Sequence, residues 1–424
     1  MTELIRDLIH ANRADGRHTL PSVCSTQPEV LTAALLLARD LKRPVLVEST
    51  SNQVNQFGGY TGMTPAAFMD SLRSLTLELR LDPELLVLGG DHLGPQAWRH
   101  ESAAAAMGHA KDMVRAYVLA GYTKIHLDCS EPCADDSQPM PPSLCAVRAA
   151  ELAAECERVA SAPLVYVIGT EVPRPGGALA GEEHLRPTHW KDAADVIELH
   201  RDAFAKIARQ AWAGVSALVV QPGVDFSPTH VVDFNVDACV GLERALEPYP
   251  HLCFEAHSTD YQSAGVYEAL GAKHFAILKV GPALTDAYRR AVYALDDLSE
   301  ALGVRGARSR VCEVMESLMV AEPSHWRGHY RGTAAELRWL RHHSYADRIR
   351  YYWPQKPAIE VVAELLRQID AAHPPRYVLR DYFDAASIER AESLVTETGG
   401  VARALVLAGI QAALLPYFGR SMSR

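Results

Sequence analysis

The chain has 424 residues, of which 48% are hydrophobic and 22% are charged, and its formal net charge is −10 from 42 basic and 52 acidic side chains. This composition is typical of a folded globular protein, and the acidic balance provides no basic surface for a nucleic acid or an anionic membrane. The N-terminus lacks the segments of a signal peptide and no apolar run approaches the roughly 18 residues of a membrane-spanning helix, so we expect a cytoplasmic protein with no nucleic-acid and no membrane partner.

Short β-type runs alternate with stretches of helical spacing along most of the chain. The predicted strands are Thr19–Cys24, Pro44–Glu48, Leu85–Gly89, Lys124–Asp128, Leu164–Ile168, Val215–Val220, Leu252–Glu255 and Phe275–Val280. The predicted helices among them are Pro28–Leu41, Ala103–Ala120, Cys145–Ala160, Ala193–Ala213, Tyr261–Leu270 and Thr285–Leu302. Eight strand-helix units in this order predict an α/β fold, the (β/α)8 TIM barrel. A doubly wound open sheet is the alternative, but its usual Gly-rich nucleotide turn does not follow the first strand.

The chain continues beyond the eighth unit with a different pattern. Further helices are predicted over Ala307–Ala321, Ala334–His343, Pro357–Ala371 and Ala385–Leu407. We therefore predict a barrel over residues 1–303 and a helical C-terminal extension, residues 304–424, packed on it. The extension contains the aromatic and basic stretch His343–Pro354. This stretch is interpreted either as the hydrophobic anchor of the extension or as part of the active-site mouth.

Polar side chains follow the predicted strands at the face that carries the chemistry of a TIM barrel. Asp91 and His92 follow the third strand, Glu171 the fifth and His257 the seventh. Two imidazoles and a carboxylate suit a divalent transition metal such as Zn²⁺, so His92, His257 and Glu171 are the predicted ligands. A single histidine is more often a core or surface residue, but two at strand ends favour a shared site. Neighbours on a strand point to opposite sides, so Asp91 is not expected to be a second ligand beside His92. At the strand end it is predicted to turn inward as a general acid/base instead.

Motifs for two kinds of chemistry are absent from the sequence. It contains no GxxxxGK[ST] loop and no GxGxxG turn after a strand, so we expect neither ATP nor NAD as a cofactor. A metal beside a carboxylate base favours polarisation of a carbonyl and stabilisation of an enediolate. These features indicate aldolase, isomerase or epimerase chemistry on a sugar.

Four longer stretches resemble one known family. They are Glu48–Met63, Gly89–Gln96, Phe254–Gln262 and Asp347–Pro354. They are similar to the family named as the non-catalytic subunit of class II tagatose-1,6-bisphosphate aldolase, some members of which interconvert D-tagatose 6-phosphate and D-fructose 6-phosphate as 4-epimerases. The resemblance implies either such an epimerase or a partner that stabilises a separate aldolase subunit. Acids and histidines at the strand ends favour the enzyme, and the missing phosphate loop argues against a tagatose-6-phosphate kinase.

A more distant resemblance to the class II aldolases themselves implies roles for single residues. It implies that Asp91 is the acid/base, that His92 and His257 bind zinc, that Asp128 and Ser130 contact substrate, and that Glu171 is a further metal ligand or acid/base. Gln221 stands where those aldolases have another zinc-binding His, so the metal is Zn²⁺ or a harder ion such as Mn²⁺ or Mg²⁺. Ser258 and Thr259 replace their phosphate-binding loop, and Asp260 there would repel a phosphate.

Inversion at C4 of a 2-ketose limits the mechanism, because the hydrogen on C4 is not adjacent to the carbonyl and is not acidic. Retro-aldol cleavage between C3 and C4 remains once a dinucleotide is excluded. In that route Asp91 removes the C4 hydroxyl proton, and Glu171 or Asp128 returns a proton after the aldehyde fragment has rotated. Arg348 and Arg350 are candidates for the substrate phosphate. The predicted partner is a small sugar phosphate, with an aldolase subunit and a homo-oligomer left open.

Overall fold

Eight parallel strands close into a barrel in the computed structural model, which describes residues 2–170 and 185–419. The barrel strands are β1 (Leu20–Val23), β2 (Val45–Thr50), β3 (Leu86–Leu93), β4 (Lys124–Leu127), β5 (Val165–Ile168), β6 (Val215–Val219), β9 (Cys253–Ala256) and β10 (Phe275–Val280). A short antiparallel hairpin, β7 (Asp225–Phe226) and β8 (Val231–Val232), follows β6. The closed order β1-β10-β9-β6-β5-β4-β3-β2 confirms the predicted TIM barrel.

Helices surround the barrel and continue into the C-terminal extension. The first group is α1 (Thr2–Asp15), α2 (Pro28–Leu41), α3 (Pro65–Glu78), α4 (Ala103–Ala120), α5 (Pro142–Val159), α6 (Trp190–Ile207), α7 (Ala264–Ala272) and α8 (Pro282–Ala301). The second group is α9 (Val311–Ala321), α10 (Ala334–His343), α11 (Lys356–Ala372), α12 (Arg376–Leu379), α13 (Ala385–Thr398) and α14 (Val401–Leu414). The helices α2, α4 and α10 have their predicted bounds. The range Ala385–Leu407 is mostly helical, as predicted, but it is divided into two helices because a left-handed Gly399 (φ 74°) ends α13.

Alternation along each strand divides the core in two. One set of side chains faces the surrounding helices, whereas the other fills the barrel interior. The deepest interior layer is apolar and includes Leu20, Leu46, Val87, Val165 and Ile277. The helix α1 packs Ile5 and Ile9 against this layer. The N-terminal helix, which the sequence analysis did not predict, therefore closes the barrel at the end opposite the strand carboxyl termini.

The C-terminal extension is packed on one side of the barrel. The helix α14 contacts α2 and α8, and α11 contacts α8. Gln411 donates from Nε2 to the carbonyl of Ala33 at 3.0 Å, which ties α14 to α2. By length and composition Val401–Phe418 could span a membrane, contrary to our expectation that no segment would qualify, but 61% of it is buried inside the protein. We interpret this segment as a core helix.

Candidate active site

The third barrel strand brings two neighbouring polar side chains to the same site. β3 continues to Leu93, past its predicted end at Gly89, and includes Asp91 and His92. Neighbours on a regular strand point to opposite faces. Here His92 has a φ of 50°, and the pairing of β3 with β4 is irregular between Gly90 and Leu93. This left-handed conformation is rare for non-glycine residues, but His is one of those that adopt it more often. It allows His92 Nδ1 to lie 2.8 Å from Asp91 Oδ1.

Three imidazoles meet at the carboxyl end of the barrel. The rings of His92, His126 and His257 are buried, and their centroids lie 4.9 to 5.1 Å apart. His126 Nδ1 lies 2.9 Å from Asp91 Oδ1 and 3.1 Å from the backbone nitrogen of His92. The tautomer with the proton on Nδ1, which donates to the Asp91 carboxylate, is the one that leaves a lone pair on Nε2. That Nε2 atom is buried and has no hydrogen-bond partner among the described residues. Because His126 belongs to one cluster of possible ligand atoms with Asp91, Glu255 and His257, this nitrogen is a candidate metal ligand.

A layer of charged side chains, the ion layer, lies one step deeper in the barrel. It consists of Glu48 on β2, Lys124 on β4, Glu255 on β9 and Lys279 on β10, all buried. Lys124 Nζ lies 2.7 Å from Glu48 Oε1 and 2.8 Å from Glu255 Oε2. Lys279 Nζ lies 3.0 Å from Glu255 Oε1 and also donates to Asp91. Each buried charge is therefore paired, as low-dielectric surroundings require.

The ion layer also orients a histidine of the site. His257 Nε2 lies 2.9 Å from Glu255 Oε1. A carboxylate that accepts the N–H of one ring nitrogen fixes the tautomer and directs the other nitrogen at a ligand. Glu255 therefore fixes the orientation of His257 and, through Lys279, connects it to Asp91.

Electrostatic surroundings set the protonation states of the cluster. Burial lowers the pKa of His126 well below its usual value and that of His257 to about 3, and the Lys279 ammonium adds to both shifts. Both imidazoles are therefore neutral near pH 7, which is the form that binds metals. Burial alone would raise the pKa of Asp91, but the charges of His92 and Lys279 outweigh it and hold that pKa well below its usual value.

The residues present fit a divalent cation. Asp91, His126, Glu255 and His257 each offer one ligand atom, and these atoms all lie within 4.8 Å of one another. With Asp91 included, the ion layer brings three carboxyl groups and two ammonium groups together beneath these atoms. Imidazole nitrogen and carboxylate oxygen are the donors that Zn²⁺ and Mn²⁺ accept.

A cavity of about 1020 Å³ opens above the cluster and is shared by the barrel and the extension. Asp91, His92 and His257 line it from the barrel, and Arg348 and Arg350 line it from the extension. Its size is sufficient for a small phosphorylated sugar. The stretch His343–Pro354 therefore contributes residues to the mouth of the cavity, which is the second of its two interpretations.

Two arginines of the extension are held in fixed positions at this mouth. Arg348 Nε donates to the carbonyl of His325, and its guanidinium lies 4.9 Å from the centre of the Tyr351 ring. Arg350 donates from Nη1 to the carbonyl of Asp347 at 3.0 Å and from Nη2 to the Tyr351 hydroxyl at 3.1 Å. Both cations are thus positioned before a substrate binds, which lowers the entropy cost of binding an anion.

The loop after β9 places Asp260 at the start of α8. Asp260 Oδ1 accepts hydrogen bonds from the backbone N–H groups of Gly281 at 3.0 Å and Ala283 at 2.8 Å. Burial raises the pKa of this carboxyl to about 6, although the two amides act in the opposite direction. Ser258 (φ 52°) lines the cavity beside it. The neighbouring Thr259 does not, since its hydroxyl donates to the carbonyl of Lys279 at 2.6 Å.

Three other predicted site residues form hydrogen bonds within their own loops. Asp128 Oδ1 accepts from the N–H of Ser130 at 2.9 Å and from its hydroxyl at 2.6 Å. Gln221 Oε1 accepts from the N–H groups of Gly223 at 2.7 Å and Val224 at 3.1 Å. Among the described residues, Asp128, Ser130 and Gln221 do not line the cavity. Their substrate contacts stay predictions, and Glu171 lies outside the described residues.

His126 and the residues of the ion layer are not among the site residues predicted from the sequence. The signal for His126 was present in its own strand, where Lys124, His126 and Asp128 alternate with the apolar Ile125 and Leu127. Polar side chains at every second position of a buried parallel strand mark the barrel interior. An interior position at a strand end is where a histidine can join a metal site.

Known proteins resemble this chain along most of its length. Residues 5–421 match the family described as D-tagatose-1,6-bisphosphate aldolase subunit GatZ/KbaZ-like. A curated protein of Agrobacterium fabrum (strain C58 / ATCC 33970), D-tagatose 6-phosphate 4-epimerase, is 46% identical over 389 residues, which are 90% of this chain and 91% of that protein. A crystal structure described as a probable tagatose 6 phosphate kinase from Sinorhizobium meliloti 1021 is 40% identical, with a TM-score of 0.86, and the match covers 95% of this chain and 99% of that one.

Proposed function

The chain belongs to the D-tagatose-1,6-bisphosphate aldolase subunit GatZ/KbaZ-like family, and we propose that it is a metal-dependent 4-epimerase that interconverts D-tagatose 6-phosphate and D-fructose 6-phosphate. The observation that carries this proposal is the convergence of Asp91 with three buried imidazoles, of which His92 and His257 line one cavity together with Asp91. A subunit that only stabilises an aldolase has no need of such a cluster. The name of the Agrobacterium relative supports the same activity.

The proposed metal ligands are His126 and His257, which are neutral in this site, and His92, which would give up a proton on binding the metal because, against the effect of burial, Asp91 raises its pKa; Glu171 is kept as a predicted further ligand. Asp91 and Glu255 hold two of these rings by hydrogen bonds. When bound, a divalent cation raises the acidity of nearby hydroxyl groups and stabilises negative charge on the oxygens of C2 and C3. Zn²⁺ is the first candidate, and Mn²⁺ and Mg²⁺ are the alternatives.

Asp91 is the proposed base. It takes the proton of the C4 hydroxyl as the C3–C4 bond breaks, the C4 oxygen becomes an aldehyde carbonyl, and the bonding electron pair passes to C3. This gives an enediolate of carbons 1 to 3 and an aldehyde that carries the phosphate. The aldehyde rotates, its other face accepts the electron pair, and a proton returns to the C4 oxygen from Asp91, Asp128 or Glu171. The low pKa of Asp91 keeps its carboxyl group ionised near pH 7, which is the form that can accept this proton.

The proposed anchor for the 6-phosphate is the pair Arg348 and Arg350. Guanidinium groups match phosphate geometry, and both line the cavity from the extension. Ser258 is proposed to contact the sugar, since it also lines the cavity, and Ser130, Gln221 and Thr259 are weaker candidates. We further propose that residues 1–303 form the catalytic barrel, that residues 304–424 complete the site, and that the enzyme is cytoplasmic.

The test is turnover by the purified chain alone. We expect it to convert D-tagatose 6-phosphate to D-fructose 6-phosphate in a coupled assay, to lose activity in EDTA, and to recover it with Zn²⁺ or Mn²⁺. Asp91→Asn should reduce kcat by at least about 100-fold, the usual contribution of a general base. No turnover with any metal, together with co-purification of an aldolase subunit, would instead establish the stabilising partner.

A further inference from the structure

Asp260 occupies a position at which TIM barrels often bind phosphate. That site is commonly formed by the loops after the last two barrel strands and the N-terminus of a helix. Here the corresponding loops follow β9 and β10, and the helix is α8. Asp260, buried and three residues beyond His257, lies in the first of these loops and lines the cavity.

The N–H groups at the start of α8 already donate hydrogen bonds within the protein, and the proline there has no N–H group to donate. Gly281 and Ala283 donate to Asp260. Pro282 has no N–H, and Leu284 donates to the carbonyl of Gly281 at 3.0 Å. An incoming phosphate would therefore find no backbone donor at this helix and would face a carboxylate instead.

The position of Asp260 in the cavity assigns it to one end of the substrate. In the retro-aldol route the oxygens on C2 and C3 lie at the metal cluster, so a group on C1 lies close to it. Asp260 follows His257 of that cluster by three residues, whereas Arg348 and Arg350 reach the cavity from the extension. Asp260 also bonds Gly281, two residues after Lys279, whose ammonium contacts Asp91 of the cluster, so we place the carboxylate near C1. Arg350 lies near enough to lower the pKa of Asp260 against the effect of burial, and with Arg348 it is available to a phosphate on C6.

From this arrangement we propose that Asp260 is a specificity-determining residue that accepts a sugar with a free C1 hydroxyl and rejects one with a C1 phosphate. The inference rests on the proposed function. A hydroxyl can donate to a carboxylate, but a phosphate beside it suffers like-charge repulsion in a site of low dielectric. The chain would then act on 6-phosphates although its family is described by a 1,6-bisphosphate.

The test compares binding of two sugars by calorimetry, D-tagatose 6-phosphate and D-tagatose 1,6-bisphosphate, and so does not depend on turnover. We expect the metal-loaded wild type to bind the bisphosphate at least about tenfold more weakly, as expected for an unfavourable charge pair. Asp260→Asn retains an acceptor for the two amides but removes the charge, and should lower that ratio about tenfold. Asp260→Ser also removes the charge and has a smaller side chain, so it should likewise lower the ratio of the two affinities.

The control is Glu29→Gln, which removes a negative charge from the lining of the same cavity at α2. It should leave the ratio of the two dissociation constants unchanged. Equal binding of both sugars by the wild type, or an unchanged ratio in both Asp260 variants, would overturn the specificity proposal. A wild type that discriminates between the sugars but shows no turnover would overturn the epimerase proposal alone, and one that binds neither would overturn both.

Discussion

At the scale of single residues, the site depends on backbone conformation as much as on side-chain identity. Asp91 and His92 are consecutive, and a regular strand would separate them onto two faces. The left-handed φ of His92 brings both into contact. Non-glycine residues in this region store strain and cluster at functional sites. The sequence shows the two side chains but not the φ angle that combines them.

His126 leads to a prediction about metal content. Its buried Nε2 has no hydrogen-bond partner among the described residues, so we expect His126→Gln to lower the affinity for Zn²⁺ at least about 100-fold, more than the loss of an outer-shell partner. The measurement is the metal content of the purified protein after dialysis, with a calorimetric dissociation constant.

The matched control for this prediction is His200→Gln. His200 is also fully buried, and its Nε2 likewise has no partner among the described residues, but it lies on α6 and donates from Nδ1 to the carbonyl of Val196. Its replacement should leave the metal content unchanged. Equal metal content in the His126 and His200 variants would remove His126 from the ligand set.

At the scale of elements, the sequence predicts the barrel well and its ends poorly. The eight strand runs fall where the structure has them because buried parallel strands are nearly continuous apolar runs. β3 extends to Leu93, four residues past its predicted end, since Gly90, Asp91 and His92 do not look like strand interior. The helix α1 was missed because only its contact with the barrel floor identifies Ile5 and Ile9 as core.

The same limit applies to the site. Strand-end polar residues could be identified from the sequence, but which of them meet could not. Lys124 and Lys279 lie within predicted strands, and only closure of the barrel reveals that they pair with Glu48 and Glu255. The contacts of loop residues could not be predicted either, since Gln221 accepts hydrogen bonds from N–H groups of its own turn. Such a local bond is invisible until the backbone is known.

One contact between elements predicts a pH effect on stability. Asp347, in the loop after α10, accepts from the Thr285 hydroxyl of α8, and burial together with repulsion by Asp286 raises its pKa to about 7. Its unfolded pKa is about 3.9. At pH values between these two pKa values, the unfolded state binds fewer protons than the folded state. The free energy of unfolding therefore falls as the pH rises, by up to about 4 kcal/mol for this carboxyl group.

We therefore expect Asp347→Asn to gain stability relative to the wild type between pH 4 and pH 8. Asn is suitable because it tolerates the left-handed conformation (φ 43°) of this position. The measurement is the difference in the midpoint of thermal unfolding between variant and wild type at both pH values. The control Asp381→Asn, at an exposed position of the extension, should shift both midpoints equally. A difference for Asp347→Asn that does not change with pH would contradict the assignment.

At the scale of the whole molecule, one cavity is built from two parts of the chain. The barrel supplies the metal cluster and the base, and the extension supplies cations and aromatic rings at the mouth. The ring of Tyr351 lies 4.8 Å from that of Tyr60, which follows β2, so the two parts also touch at the mouth. These parts are far apart in the sequence, and the packing of the extension on α2 and α8 brings them together.

Because the barrel carries the base and the extension carries the cations, we expect substitutions in the extension to change KM and substitutions in the barrel to change kcat. Arg350→Gln should raise KM for D-tagatose 6-phosphate by about 10- to 100-fold, the loss of a charge-assisted hydrogen bond of roughly 1.5–3 kcal/mol, and should change KM for unphosphorylated D-tagatose far less. The exposed Arg331 of the same extension gives the control Arg331→Gln, for which both KM values should stay close to the wild type. If Arg350→Gln raised the two KM values equally, Arg350 would support the fold of the mouth through Asp347 and Tyr351 and would not bind the phosphate.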